Sequence, residues 1–128
     1  MIGSRLVIAP LIAGIWAVVL APPASADDAV TYEVLSLTPY VDSMNVEYND
    51  RSQRILLLNV PLPWRQNATV VNARSQTENG AEVRADWRPA SAPNRWVTVR
   101  IYVRGSLICE NTLDVGNATC YGSTPFIS

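Results

Sequence analysis

The chain has 128 residues, enough for one domain and not for two, with ten arginines against eleven carboxylates and a formal net charge of −1. No basic cluster stands out, which argues against nucleic acid as a partner. There is no histidine, so chemistry that depends on imidazole has no residue to carry it, and no lysine, so every cation is an arginine.

The first 26 residues differ in character from the rest. They carry one charge, Arg5, then an apolar run over 6–21, then Pro22-Pro23 and Ala24-Ser25-Ala26, an A-x-A pattern with Asp27-Asp28 beyond it. That is the layout of a secretory signal peptide. A run of about 16 residues makes a helix of about 24 Å, short of the roughly 30 Å of bilayer hydrocarbon. The expectation is a signal helix over 1–26, removed on export, and an exported domain over 27–128. A retained anchor is the alternative. In an exported chain the two cysteines, Cys109 and Cys120, are expected to form one disulfide.

Along the exported part, period-two alternation recurs. Val30, Tyr32 and Val34 alternate with Thr31, Glu33 and Leu35, a first strand that ends near Thr38-Pro39. Met44, Val46 and Tyr48 mark a second, and Asn49-Asp50-Arg51-Ser52 a turn. The stretch 54–60, RILLLNV, is the most apolar and reads as a central strand, closed by Pro61-Leu62-Pro63. A fourth strand is expected over 69–73. Asn79-Gly80 is a favoured hairpin dipeptide, and Val83, Ala85 and Trp87 give a fifth strand with Glu82, Arg84 and Asp86 on its other face. A loop over 88–95 holds Pro89 and Pro93. Val97, Val99, Ile101 and Val103 then alternate with Trp96, Thr98, Arg100 and Tyr102; Gly105 turns the chain, and strand structure resumes at Leu107. Val115-Gly116-Asn117 turns it again, bringing Cys120 back towards Cys109. No segment shows helical periodicity over three turns. Short strands with frequent turns predict an all-β fold: an immunoglobulin-like β-sandwich of about seven strands, with a small barrel as runner-up.

Catalytic signatures are sparse. The candidate carboxylate pairs, Glu47 with Asp50 or Glu82 with Asp86, read as solvated surface charge, so no enzyme, cofactor or metal is expected. The tryptophans are the remaining candidates. Trp64, Trp87 and Trp96 each sit at a loop boundary beside an arginine, Arg65, Arg88 and Arg95. Tryptophan with arginine is the composition of contact hot spots, and these six residues are the candidate partner-binding set. The loop 88–95, stiffened by its prolines, is the favoured contact, with carboxylate or phosphate groups suiting its arginines. The plain alternative is that its tryptophans only plug the ends of the core.

In order along the chain, Val30-Thr31-Tyr32-Glu33-Val34, Asn45-Val46-Glu47-Tyr48-Asn49-Asp50 and Val60-Pro61-Leu62-Pro63-Trp64 resemble the V-x-Y-E-V, Y-x-D and V-x-L-P-W landmarks of the MmpS family, the mycobacterial "membrane protein small" group. The late strand, the Gly105 turn and Cys120 are similar as well. The resemblance implies an extracytoplasmic β-sandwich acting beside an MmpL transporter of the RND type, with a lipid, a siderophore or another amphiphilic cargo. Two features depart from it: the apolar run ends at an A-x-A site instead of continuing as an anchor, and Cys109 follows the Gly105 turn instead of preceding it. A secreted module of adhesin or inhibitor type, with no transporter, is the second expectation.

Overall fold

A computed structural model describes residues 27–37 and 40–125. The signal helix expected over 1–26 lies outside the described residues. Among these residues eight strands form: β1 (Asp28–Ser36), β2 (Ser43–Asp50), β3 (Gln53–Pro61), β4 (Trp64–Val70), β5 (Glu82–Asp86), β6 (Val97–Val103), β7 (Ser106–Leu113) and β8 (Asn117–Tyr121), with a 3-10 turn at Arg88–Ala90. They make two four-stranded sheets, ordered β4-β1-β6-β7 and β3-β2-β5-β8. Every neighbouring pair is antiparallel. The fold is all-β and sandwich-like.

The core is built where alternation is cleanest. Val30, Tyr32 and Val34 of β1 and Val97, Val99 and Ile101 of β6 are buried on one side. Met44, Val46 and Tyr48 of β2 and Val83 and Ala85 of β5 meet them from the other. These four strands are the central ones of their sheets, where each apolar row has a neighbour on both sides. Tyr32 crosses the core, its hydroxyl donating to the Asn49 carbonyl at 2.6 Å. Burial pushes this phenol far above its ordinary range.

The two tight hairpins fall where the sequence places turns. Arg51 and Ser52 join β2 to β3, and Arg104 and Gly105 join β6 to β7, all four at positive φ as such two-residue links require. The disulfide is present: Cys109 on β7 and Cys120 on β8 are bonded with their Cα atoms 5.9 Å apart. It ties an edge of one sheet to an edge of the other, whereas immunoglobulin domains of antibodies place theirs between inner strands.

Four expectations are corrected. The described residues form eight strands, the eighth being the short β8 after Gly116. The fourth strand begins at Trp64, not at Thr69, because the chain crosses sheets at Leu62-Pro63, a cis peptide bond, and pairs at once with β1. Asn79-Gly80 makes no hairpin, since β4 and β5 belong to different sheets. Glycine is needed at 80 for a close approach: a Cβ there would lie 1.9 Å from the Ser75 carbonyl oxygen. Finally, β3 is an edge strand, with Leu56 and Leu58 exposed.

Candidate functional site

Strand register sorts the loops onto two ends. Ser36 pairs with Val97, Val34 with Trp64, Ser43 with Pro61, Asn45 with Asp86, Asp86 with Asn117 and Val97 with Leu113. The loop 87–96, the Pro61-Leu62-Pro63 corner, residues 37 and 40–42 and the turn at Gly116 therefore share one end. Backbone bonds knit it together: Leu37 N to Trp96 O at 2.9 Å, Leu62 N to Asp42 O at 3.0 Å and Trp87 N to Gly116 O at 2.8 Å. The start of β1, the Arg51 turn and the Gly105 turn lie at the other end, where Arg51 N donates to Thr69 O at 2.7 Å.

The six candidate residues separate into different environments. Trp87 is 1% exposed and belongs to the core, so its side chain presents no surface to a partner. Its indole Nε1 has no hydrogen-bond partner among the described residues. Trp64 is half-buried, its ring 5.5 Å from that of Tyr48. Trp96 is 37% exposed, at the rim. Arg88 already holds a carboxylate, its Nε 3.0 Å from Asp86 Oδ1 and its Nη2 on Oδ2. That contact raises the guanidinium pKa and, with the Arg88 backbone N–H, holds the Asp86 carboxyl below its ordinary value. Arg95 donates to the Ala90 carbonyl at 3.1 Å and so braces the loop from within.

Arg65 belongs to a different surface. Arg65 of β4, Glu33 of β1, Arg100 of β6 and Glu110 of β7 stand directly opposite one another across their sheet. Their ion pairs measure 3.0, 3.1 and 2.6 Å in turn. Tyr102 donates to Glu33 at 3.2 Å, and the Arg65 guanidinium lies 5.4 Å from the Tyr102 ring centre. Opposite charges alternate across all four strands, which balances this outer face instead of giving it one sign.

Residues that sequence reasoning passed over join Trp96 at its end. Leu37, Tyr40 and Val115 are exposed there. The Tyr40 hydroxyl donates to the Leu62 carbonyl at 3.3 Å, which holds its ring against the corner. Their only sequence signal is that they are large apolar residues inside connections. A cleft of about 250 Å³ lies at this end beside Asn45, Asn59, Asp86 and Trp87. A larger open one, about 490 Å³, lies at the other end beside Asp50, Arg51, Asn67 and Arg104.

Glu47 and Glu82 converge on Arg54, at 3.3 and 2.8 Å. Asp50 accepts the Thr69 backbone N–H at 3.0 Å. Among the described residues, no group of three or more histidine, cysteine or acidic side chains is placed to hold a metal, and no helix is long and apolar enough to cross a membrane. The disulfide is compatible with an oxidising, exported location. No protein-family model matches the chain, and no curated protein matches it.

Proposed function

We propose that this is a non-enzymatic exported domain of the cell envelope, of the MmpS accessory type, which works by contact. Its partner would be an RND-type transporter exporting a lipid or siderophore, or the amphiphilic cargo itself. We read the sandwich as immunoglobulin-like in its general two-layer sense. The observation that carries the proposal is the gathering of exposed Leu37, Tyr40, Trp96 and Val115 at the end remote from residue 27. Trp96 ends a loop that Arg95 braces through the Ala90 carbonyl and that Pro89 and Pro93 stiffen, so it loses little entropy on docking. A nine-residue strand spans about 30 Å, so an N-terminal tether would present these residues that far from the membrane.

The second reading, a secreted interaction module with no transporter, is favoured by the A-x-A site alone. One experiment separates them. A photo-crosslinking residue is placed at position 96 in living cells and, as a control, at position 106 at the opposite end. An adduct with an RND-type transporter at 96 only supports the accessory role. An adduct there with another envelope protein favours the second reading. Equal labelling from 96 and 106, or none from 96, removes this end as the contact surface.

A further inference from the structure

The outer edge of β3 pairs with no strand among the described residues, its one neighbour being β2. Leu56 is 55% exposed and Leu58 64%. Edge strands normally blunt themselves with charge, proline or a bulge. The other edges are charged or short: β4 carries Arg65, β7 carries Glu110, and β8 has five residues, with Asn117 and Thr119 on one face. On β3 the protection stands only at the ends of the strand. The Arg51-Ser52 turn closes one end. At the other, Leu58 and Asn59 bulge opposite Asn45, with Asn59 at φ 53°, and Pro61 follows. From the turn up to and including the first bulge residue, Leu58, lies a run of five residues, 54–58, with no strand on its outer side among the described residues.

The hydrogen-bonding direction along this run follows from the hairpin. In a two-residue link the flanking pair, Asp50 and Gln53, is hydrogen-bonded, so Ile55 and Leu57 point their backbone groups at β2. Arg54, Leu56 and Leu58 point theirs outwards. The run then matches itself. An antiparallel copy related by a two-fold axis at Leu56 sets Leu56 against Leu56 of the second copy and Arg54 against Leu58 of the second copy. Every outward N–H and C=O meets its complement.

We infer that the protein self-associates through this edge, β3 pairing antiparallel with β3 of a second copy about Leu56. Side-chain chemistry agrees at each position. The axis joins leucine to leucine. Arg54 keeps its guanidinium on Glu47 and Glu82, while its aliphatic stem lies along Leu58 of the second copy. No two like charges oppose each other. On the inner face, Ile55 and Leu57, which are half-buried against the core, meet Leu57 and Ile55 of the second copy and extend the apolar layer.

Sedimentation of the exported protein over rising concentration, up to millimolar, tests this, with hydrogen exchange read at the Leu56 and Leu58 amides. The expected result is a concentration-dependent dimer in which those two amides slow as it forms. Leu56→Lys and Leu56→Glu, at an exposed position, should each weaken it by about tenfold or more. Mixing the two variants should restore it, because residue 56 faces itself across the axis. A monomer at all concentrations with both amides exchanging freely overturns the inference. So does a dimer indifferent to both variants, or a mixture that fails to recover.

Discussion

Removing the disulfide isolates one term in the stability of this fold. Cys109 and Cys120 are 11 residues apart, and the bridge ties edge strands of opposite sheets. Closing a loop of that length removes about 9 cal/mol/K from the unfolded chain, or about 2.8 kcal/mol at 25 °C in the chain-entropy model. Cys120 is enclosed, so the replacement should be alanine at both positions, because a serine there would bury a hydroxyl. In a domain of about 100 residues a loss near 3 kcal/mol lowers Tm by roughly 12–20 °C. Urea unfolding of Cys109→Ala/Cys120→Ala should show that loss together with a larger m-value, because the open chain exposes more surface. A change below about 1 kcal/mol with m unaltered would refute loop closure as the source of the effect.

Two further predictions concern packing and acid. Ile101 is fully enclosed between Tyr32 and Cys109, so Ile101→Ala should cost about 2–5 kcal/mol in urea melts. Thr98 is only 3% exposed and bonds Thr112 at 2.8 Å, so Thr98→Ala should cost about 1 kcal/mol; equal losses would contradict the register. The Ala73 N–H and Arg104 hold the Asp28 carboxyl below the ordinary aspartate range, and Arg88 does the same for Asp86. A carboxylate lowered by folding contributes stability that is present above its unfolded pKa and lost as the pH falls through its folded one. Thermal melts should therefore be flat with respect to these groups above about pH 4 and fall below it. Asp28→Asn should show a shallower acid decline, and an identical decline would dismiss Asp28 as a contributor.

The sequence is most informative where burial comes with alternation. β1, β2, β5 and β6 each show it, and each is an inner strand. It says less about which strands are neighbours. A run such as Ile55-Leu56-Leu57-Leu58 specifies an extended segment. Whether that segment lies at the centre or the edge depends on pairings made by residues far along the chain, which period-two reasoning does not reach. The same limit hid β4. Proline before Trp64 ends one ladder, and nothing local states that another begins on the opposite sheet. The disulfide partners follow from there being only two cysteines, but the strands they tie follow only from the fold.

For the tryptophans, neighbourhood and parity give different answers, and parity agrees with the structure. Beside an arginine at a loop boundary, Trp64, Trp87 and Trp96 look equivalent. Counting in twos separates them. Trp87 continues Val83 and Ala85, an inward set, and is enclosed. Trp64 leads Ala68 and Val70 at even spacing and lies half-buried against Tyr48. Trp96 is out of step with Val97, Val99 and Ile101, and reaches the surface. A strand's parity extends one residue past its last ladder bond because the pleat that sets it is a backbone property, whereas a neighbouring arginine carries no directional information. Of the three, Trp96 is the position where a change tests contact more than folding, and so it is the one chosen for crosslinking.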